Sequence, residues 1–259
     1  MKHIVFYSGG IVSWMTAKRV IEKYGKENVI LLFADTLIED VDLYRFIDDT
    51  VAEMGVKFYR VADGRTPWEV YKDSNFLGNN QKAPCSYVLK QRVSEDWVID
   101  NFSPDECVLY LGIDWSESHR KIAPVKKWHP YTVQFPMCEP PFMDKSDMFK
   151  ELEKIGIEVP RLYKMGFSHN NCGAFCCKAG QGHFAKLLKE LPNKFKEVEE
   201  KEQEVRESIG KDVTILRKQV NKKMYRYSLK QLREDIEANK KVDEQDIGGC
   251  GCFLDDINN

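Results

Sequence analysis

His3-Ile4-Val5-Phe6-Tyr7 followed by Ser8-Gly9-Gly10-Ile11-Val12-Ser13 is the stretch that decides the fold. The first five residues read as a short buried strand, and Val12, Met15, Val20 and Ile21 begin an amphipathic helix directly after the glycines. Strand, small-residue turn and helix start build an anion site from backbone N–H groups and the positive end of a helix. Two adjacent glycines let the main chain approach a phosphate closely, and Ser8 and Ser13 can donate hydroxyl hydrogen bonds to it. A Gly-Gly pair also suits a tight βα turn with no ligand; serines on both sides favour the phosphate loop.

From that loop outward, strands and helices alternate. Val29-Ile30-Leu31-Leu32-Phe33 is a continuous apolar run suited to a central parallel strand. Residues 39–54 read as a helix, with Leu43, Phe46, Ile47, Val51 and Met54 at helical spacing. Lys57 to Val61 forms a third strand, 86–102 a helix, and Cys107 to Leu111 a fourth strand ending at Gly112. The order implies an α/β fold: a parallel, Rossmann-like sheet with helices on both faces, whose ligands bind beyond the carboxyl ends of the strands. Prolines 124, 130, 136, 140 and 141 then mark an irregular crossing. Helices are expected over 146–155, with Ser146 as N-cap, over 192–208 and over 228–238, separated by a Gly- and Cys-rich loop at 172–183. The division expected is a nucleotide-binding core, 1–123, and a helical, Cys-bearing C-terminal subdomain, 124–259.

The chain has 259 residues, enough for a substantial core, and its formal net charge of −2 gives no global reason to expect nucleic acid or a membrane. No secretory apolar region or long apolar run is present, so a cytoplasmic location is expected. In a reducing compartment the 8 cysteines point to metal, cluster or thiol chemistry rather than to structural disulfides.

Several motifs together carry a family resemblance. They are Ser8-Gly9-Gly10-Ile11-Val12-Ser13, Phe33-Ala34-Asp35-Thr36, Gly112-Ile113-Asp114 with Glu117-Ser118-His119-Arg120, and the Ile157-to-Tyr163 segment followed by Gly166-Phe167 and a cysteine loop. On these the chain resembles the PP-loop family of adenine-nucleotide α-hydrolase folds, and within it the phosphoadenosine-phosphosulfate (PAPS) reductase-like proteins. The resemblance implies ATP, or PAPS, laid across the sheet's carboxyl edge with its phosphates on Ser8, Gly9, Gly10 and Ser13. It implies one of two activities. The first is Mg2+-ATP cleavage between the α and β phosphates, adenylating a substrate for sulfur or nitrogen transfer; the loop, the cysteines and the basic stretch at 213–233 together point to a nucleobase or nucleic acid as an acceptor. The second is thiol-dependent reduction of an activated sulfate. In this sequence Val12 stands where the family's loop usually carries an acid; a nucleotide-binding module without catalysis is the third reading.

Other residues extend the candidate site. Asp35 and Thr36 should emerge at the ligand edge, Asp35 either binding ribose or Mg2+ or capping the next helix. Asp114 is a second candidate for the metal. Arg120 offers a planar fork for phosphate or sulfate, or pairs with Glu117 and braces the loop; Gly112 precedes both. Cys85, at a Pro-Cys-Ser helix entry with Lys90 nearby, is a candidate nucleophile, against a buried apolar cysteine. Cys172, Cys176, Cys250 and Cys252, at C-x-x-x-C and C-x-C spacing among glycines, suit zinc or a [4Fe-4S] cluster, with His169 and His183 as substitute ligands. A redox dithiol at Cys250 and Cys252 is the rival. Between 213 and 233 there is no acid, while Arg217, Lys218, Lys222, Lys223, Arg226, Lys230 and Arg233 are interleaved with Tyr225 and Tyr227. Such a stretch holds a nucleic-acid backbone or is simply a solvated face.

Overall fold

The computed structural model describes residues 1–170 and 172–249. Five strands, β1 (Lys2–Phe6), β2 (Val29–Ala34), β3 (Lys57–Val61), β4 (Cys107–Leu111) and β5 (Thr132–Gln134), form one sheet in the order β3-β2-β1-β4-β5. Every pairing is parallel. The crossovers run through α1 (Ile11–Tyr24), α2 (Val41–Met54), α3 (Pro67–Asp73), α4 (Pro84–Ser86), α5 (Val93–Asn101) and α6 (Ile122–Trp128). A π-helical segment, Tyr87–Arg92, joins α4 to α5. After β5 come α7 (Lys145–Lys154), α8 (Arg161–Lys164), α9 (Gln181–Glu190) and α10 (Pro192–Ile209), then a hairpin of β6 (Leu216–Val220) and β7 (Lys223–Tyr227), and α11 (Leu229–Glu237).

The alternation of side chains along each strand divides the core in two. Val5 and Tyr7, with Leu31 and Phe33, pack against Trp14, Phe46 and Met148 on the α1–α2–α7 face. Ile4 and Phe6, with Leu32 and Leu109, pack against Val98 and Trp128 on the other. Met148 and Leu152 share the first of these cores with β1 and β2, so residues on both sides of position 123 build the sheet's flank. A third core gathers Trp68 and Tyr71 from α3 with Phe175, Phe184, Phe195 and Leu232 from the C-terminal half.

Three local differences from the sequence reading have simple causes. Helix α7 begins at Lys145 rather than after Ser146, with Asp144 in the extended N-cap position. β5 is three half-exposed edge residues without an apolar run, too short to show a period. The basic stretch forms the β6–β7 hairpin, turning through Asn221 and Lys222, both at positive φ. Its base is fixed by buried Glu202 on α10, whose carboxylate accepts the Ile215 and Leu229 N–H groups at 2.9 and 2.7 Å.

Candidate active site

Between β1 and β4 the crossovers diverge, and a cleft of about 130 Å³ opens at the carboxyl ends of these two strands. Ser8, Gly10, Val12 and Ser13 form one wall. Gly9 adopts φ +72°, and a Cβ there would sit 2.9 Å from Leu43 Cγ, so this glycine serves both the turn and the seat of α2. A Cβ on Gly112 would lie 3.0 Å from the Ser13 N and Cα atoms, so Gly112 lets β4 approach the start of α1.

Helix α1 enters this cleft with Gly10 at its N-cap, no side-chain cap and no acid in its first turn. The N–H groups of its first turn and its dipole favour an anion there. Its first N–H, from Ile11, is bonded at 3.2 Å to the Tyr163 hydroxyl. Tyr163 is delivered by α8, which Arg161 ties down through a two-pronged ion pair to Asp40, at 2.8 and 2.7 Å. The two loop serines line the cleft but bond to one another. Ser8 Oγ donates to Ser13 Oγ at 3.2 Å, and Ser13 Oγ donates to the Gly10 carbonyl at 2.8 Å.

Three cations also line the cleft: Lys90, Arg120 and Lys145. Arg120 pairs with Glu117 at 2.7 Å through Nη1, while its Nε is buried with no partner among the described residues. Lys145 reaches the Ser168 carbonyl at 2.9 Å. Asn170 donates to the Gly9 carbonyl at 3.1 Å, and its side-chain oxygen is buried and unpartnered among the described residues. His169 also lines the cleft, and burial, reinforced by Lys145 and Arg120, pulls its pKa down to about 4. Lys145, Asn170 and Tyr163 had no signal in the sequence beyond their segments, because no local pattern marks residues such as Tyr163 and Asn170, which meet the loop across 152 and 161 positions.

Asp35 has a different task from the one expected. Its side chain is wholly buried, and its oxygens accept from the Leu37 N–H at 2.8 Å, the Tyr44 hydroxyl at 2.9 Å and Arg60. Those bonds leave no open face for ribose or Mg2+, and Asp35 is not in the cleft wall; Asp40, not Asp35, caps α2. Thr36 is likewise turned inward, donating to Glu39 at 2.9 Å. Of the two carboxylates lining the cleft, Asp114 fits a cation better: its Oδ1 accepts from Ser116, whereas Glu117 is paired with Arg120. One such carboxylate beside phosphate oxygens matches the usual protein share of Mg2+ coordination.

Behind Lys90 lies a second, smaller pocket that gathers Cys85, Cys172, Cys176 and Cys177. Lys90 is 7% exposed, sits on the π-helical segment and borders both cavities. It approaches Glu39 at 3.7 Å and Cys172 Sγ at 3.5 Å. Burial raises the pKa of Glu39, which also accepts the Cys172 N–H. Cys172 and Cys176 thus join Cys85; Cys250 and Cys252 lie outside the described residues. Among the described residues no group of three or more His, Cys, Asp or Glu has metal-binding geometry. His183 bonds the Ala174 carbonyl at 2.7 Å and packs against Phe167 and Phe184, and burial lowers its pKa.

No family model matches the chain, and no curated protein does. Among solved structures it is similar to the phosphoadenylyl-sulfate (PAPS) reductase from Candida auris in its phosphate complex. That likeness has 13% identity over 64% of this chain and 78% of the other, with a TM-score of 0.43. It is also similar to the NH3-dependent NAD synthetase from Campylobacter jejuni subsp. jejuni NCTC 11168 in complex with the nitrate ion. Here identity is 13% over 81% of this chain and 84% of the other, with a TM-score of 0.41. At scores this low, function is read from the cleft itself. No helix among the described residues is long and apolar enough to cross a membrane.

Proposed function

We propose that this chain is a PP-loop-type enzyme. It binds the phosphates of an adenine nucleotide in the β1–β4 cleft and activates a substrate oxygen by adenylation, releasing pyrophosphate for later sulfur or nitrogen transfer. One observation carries the reading: an uncapped, acid-free helix start opens onto Lys90, Arg120 and Lys145, beside a buried guanidinium N–H that has no partner among the described residues. A polyanion satisfies all of these at once. The enclosed volume suits phosphates, so ribose and base extend over the open side.

In the reaction, the substrate oxygen attacks the α phosphorus while the leaving pyrophosphate gathers negative charge. Lys90, Arg120 and Lys145 are fixed where they offset that charge, and the α1 terminus needs no reorganisation to do the same. Asp114 would hold Mg2+, which would supply further neutralisation of this charge. Exchange of labelled pyrophosphate into ATP, with candidate acceptors supplied, tests the reading. Exchange that disappears in Gly10→Asp supports it; ATP binding without exchange for any acceptor favours a non-catalytic nucleotide module.

The cysteine pocket next to Lys90 favours a second reading, thiol-dependent reduction of PAPS. Sulfite release from PAPS with a dithiol reductant, lost in Cys85→Ser, is its test. A nucleic-acid acceptor would meet the β6–β7 hairpin, where Lys222 and Lys223 make no ion pair among the described residues and Tyr225 is exposed. Lys218, Arg226 and Arg233, by contrast, are paired with Asp235, Asp212 and Glu199.

A further inference from the structure

Cys85 and Cys177 are 92 residues apart in sequence, yet their sulfurs lie 3.9 Å from each other as thiols. The Tyr71 hydroxyl stands 3.1 Å from Cys85 Sγ. Both thiols line the pocket behind Lys90, whose enclosed space of about 20 Å³ has room for roughly one water-sized guest. Pro67, Ala83 and Phe175 give it an apolar wall, and Cys172 and Cys176 also line it. Two thiols in contact, a fixed hydroxyl donor and a chamber for a very small molecule form a built site, not a chance cluster of core cysteines.

We propose that Cys85 and Cys177 form a redox centre that takes hydrogen peroxide, with Cys85 as the attacking sulfur and Cys177 as the resolving one. The roles differ because the environments differ. Cys85 is the half-buried member of the pair, lining the pocket with the Tyr71 hydroxyl 3.1 Å from its sulfur. Cys177 is the buried member, 1% exposed, placed to follow Cys85 rather than to meet the oxidant first. Burial holds the Tyr71 hydroxyl protonated, so it remains a donor to the thiolate and to the departing oxygen.

The chemistry closes without another reactant. Cys85 Sγ attacks one peroxide oxygen, the O–O bond breaks, and the hydroxide that leaves takes up the proton Cys85 had released, giving water and a sulfenic acid. Cys177 Sγ then attacks Cys85 Sγ, the S–O bond breaks, and hydroxide departs with the Cys177 proton as a second water. Two thiols lose two electrons, peroxide gains them, and a disulfide remains. A shift of roughly 2 Å brings the sulfurs to bonding distance. The chamber's size selects hydrogen peroxide over bulky organic hydroperoxides. None of these steps involves the nucleotide cleft, so the proposal stands or falls separately from the function argued above.

The test uses the full-length reduced chain. It is treated with stoichiometric hydrogen peroxide, the remaining thiols are alkylated, and the peptides are mapped by mass spectrometry with and without a reductant. The expected result is a reducible Cys85–Cys177 cross-link forming at least ten-fold faster than any oxidation of Cys107 or Cys138. Both of these thiols are disfavoured by burial, with the Cys107 pKa pushed up to about 11. Cumene hydroperoxide should react at least ten-fold more slowly than hydrogen peroxide. In Cys177→Ser, a sulfenic acid at Cys85 should become trappable by dimedone. Oxidation of Cys107 or Cys138 ahead of Cys85, or a Cys85 cross-link to a cysteine other than Cys177, overturns the proposal; the wild-type map decides this even if the variant does not fold.

Discussion

Replacing Arg120 by Met separates the cost of the cleft from its use. The Arg120 Nε–H is buried without a partner among the described residues, a penalty of about 1–3 kcal/mol as long as no ligand meets it. The ion pair to Glu117, whose side chain is 41% exposed, returns at most about 1 kcal/mol. Methionine keeps most of the aliphatic stem and carries neither effect. The ligand-free variant should therefore equal or exceed the parent by up to about 2 kcal/mol, a rise in Tm of up to several degrees for a chain this size. With a polyphosphate bound, the variant loses a charge-assisted hydrogen bond of about 1.5–3 kcal/mol, so affinity should fall roughly 10- to 150-fold. Scanning calorimetry on the empty protein and titration calorimetry with a non-hydrolysable ATP analogue give the two numbers. Parental affinity, or a ligand-free Tm lowered by several degrees, would refute the reasoning, because Arg120 would then brace the loop and do nothing else.

Three further outcomes follow from the same geometry. Gly10→Asp puts a favourable helix-capping carboxylate where phosphate should sit; repulsion at ~5 Å and an effective dielectric of ~20 amounts to about 3 kcal/mol, so analogue binding should weaken about 100-fold, and unchanged binding by a folded variant would place the phosphates elsewhere. Bound polyanion should raise the pKa of His169 from about 4 towards its ordinary range, seen as a change in its ring NMR shifts on titration; no movement at saturation would remove His169 from the site. Burial raises the Glu202 pKa to about 7, above its unfolded value, so the native state holds the extra proton. Its contribution is full below about pH 4.5 and is lost as pH rises through 7. Denaturation of Glu202→Gln across that window should show a flatter pH dependence than the parent, and an equally steep one contradicts the assignment.

The parts of this fold that were legible are those where local sequence pattern and tertiary role coincide. The apolar runs at 29–33 and 107–111 are buried on both faces, and that double burial is what makes a central parallel strand recognisable. The Ser8-Gly9-Gly10 turn was readable because a positive-φ glycine and a helix start leave local marks. Asp35 misled because a carboxylate after a buried strand can point at ligand or back into its own loop. Which happens here depends on Tyr44 and Arg60, and no spacing announces them. The hairpin at 216–227 was obscured by its charge: exposed lysines mask strand alternation, and Glu202, which pins its base, sits on a different helix. Cys85 stood out through its helix entry, whereas Cys177 and Lys145 acquire their significance only from partners that the chain brings together on folding.

A crystal structure of the protein soaked with a non-hydrolysable ATP analogue tests the central claim most directly. The phosphates should lie against Ser8, Gly10 and the first N–H groups of α1, with Arg120 Nε within hydrogen-bond distance and the Tyr163 hydroxyl moved from Ile11 or donating to phosphate. Nucleotide density away from the β1–β4 cleft, under conditions where solution binding is measurable, would contradict it.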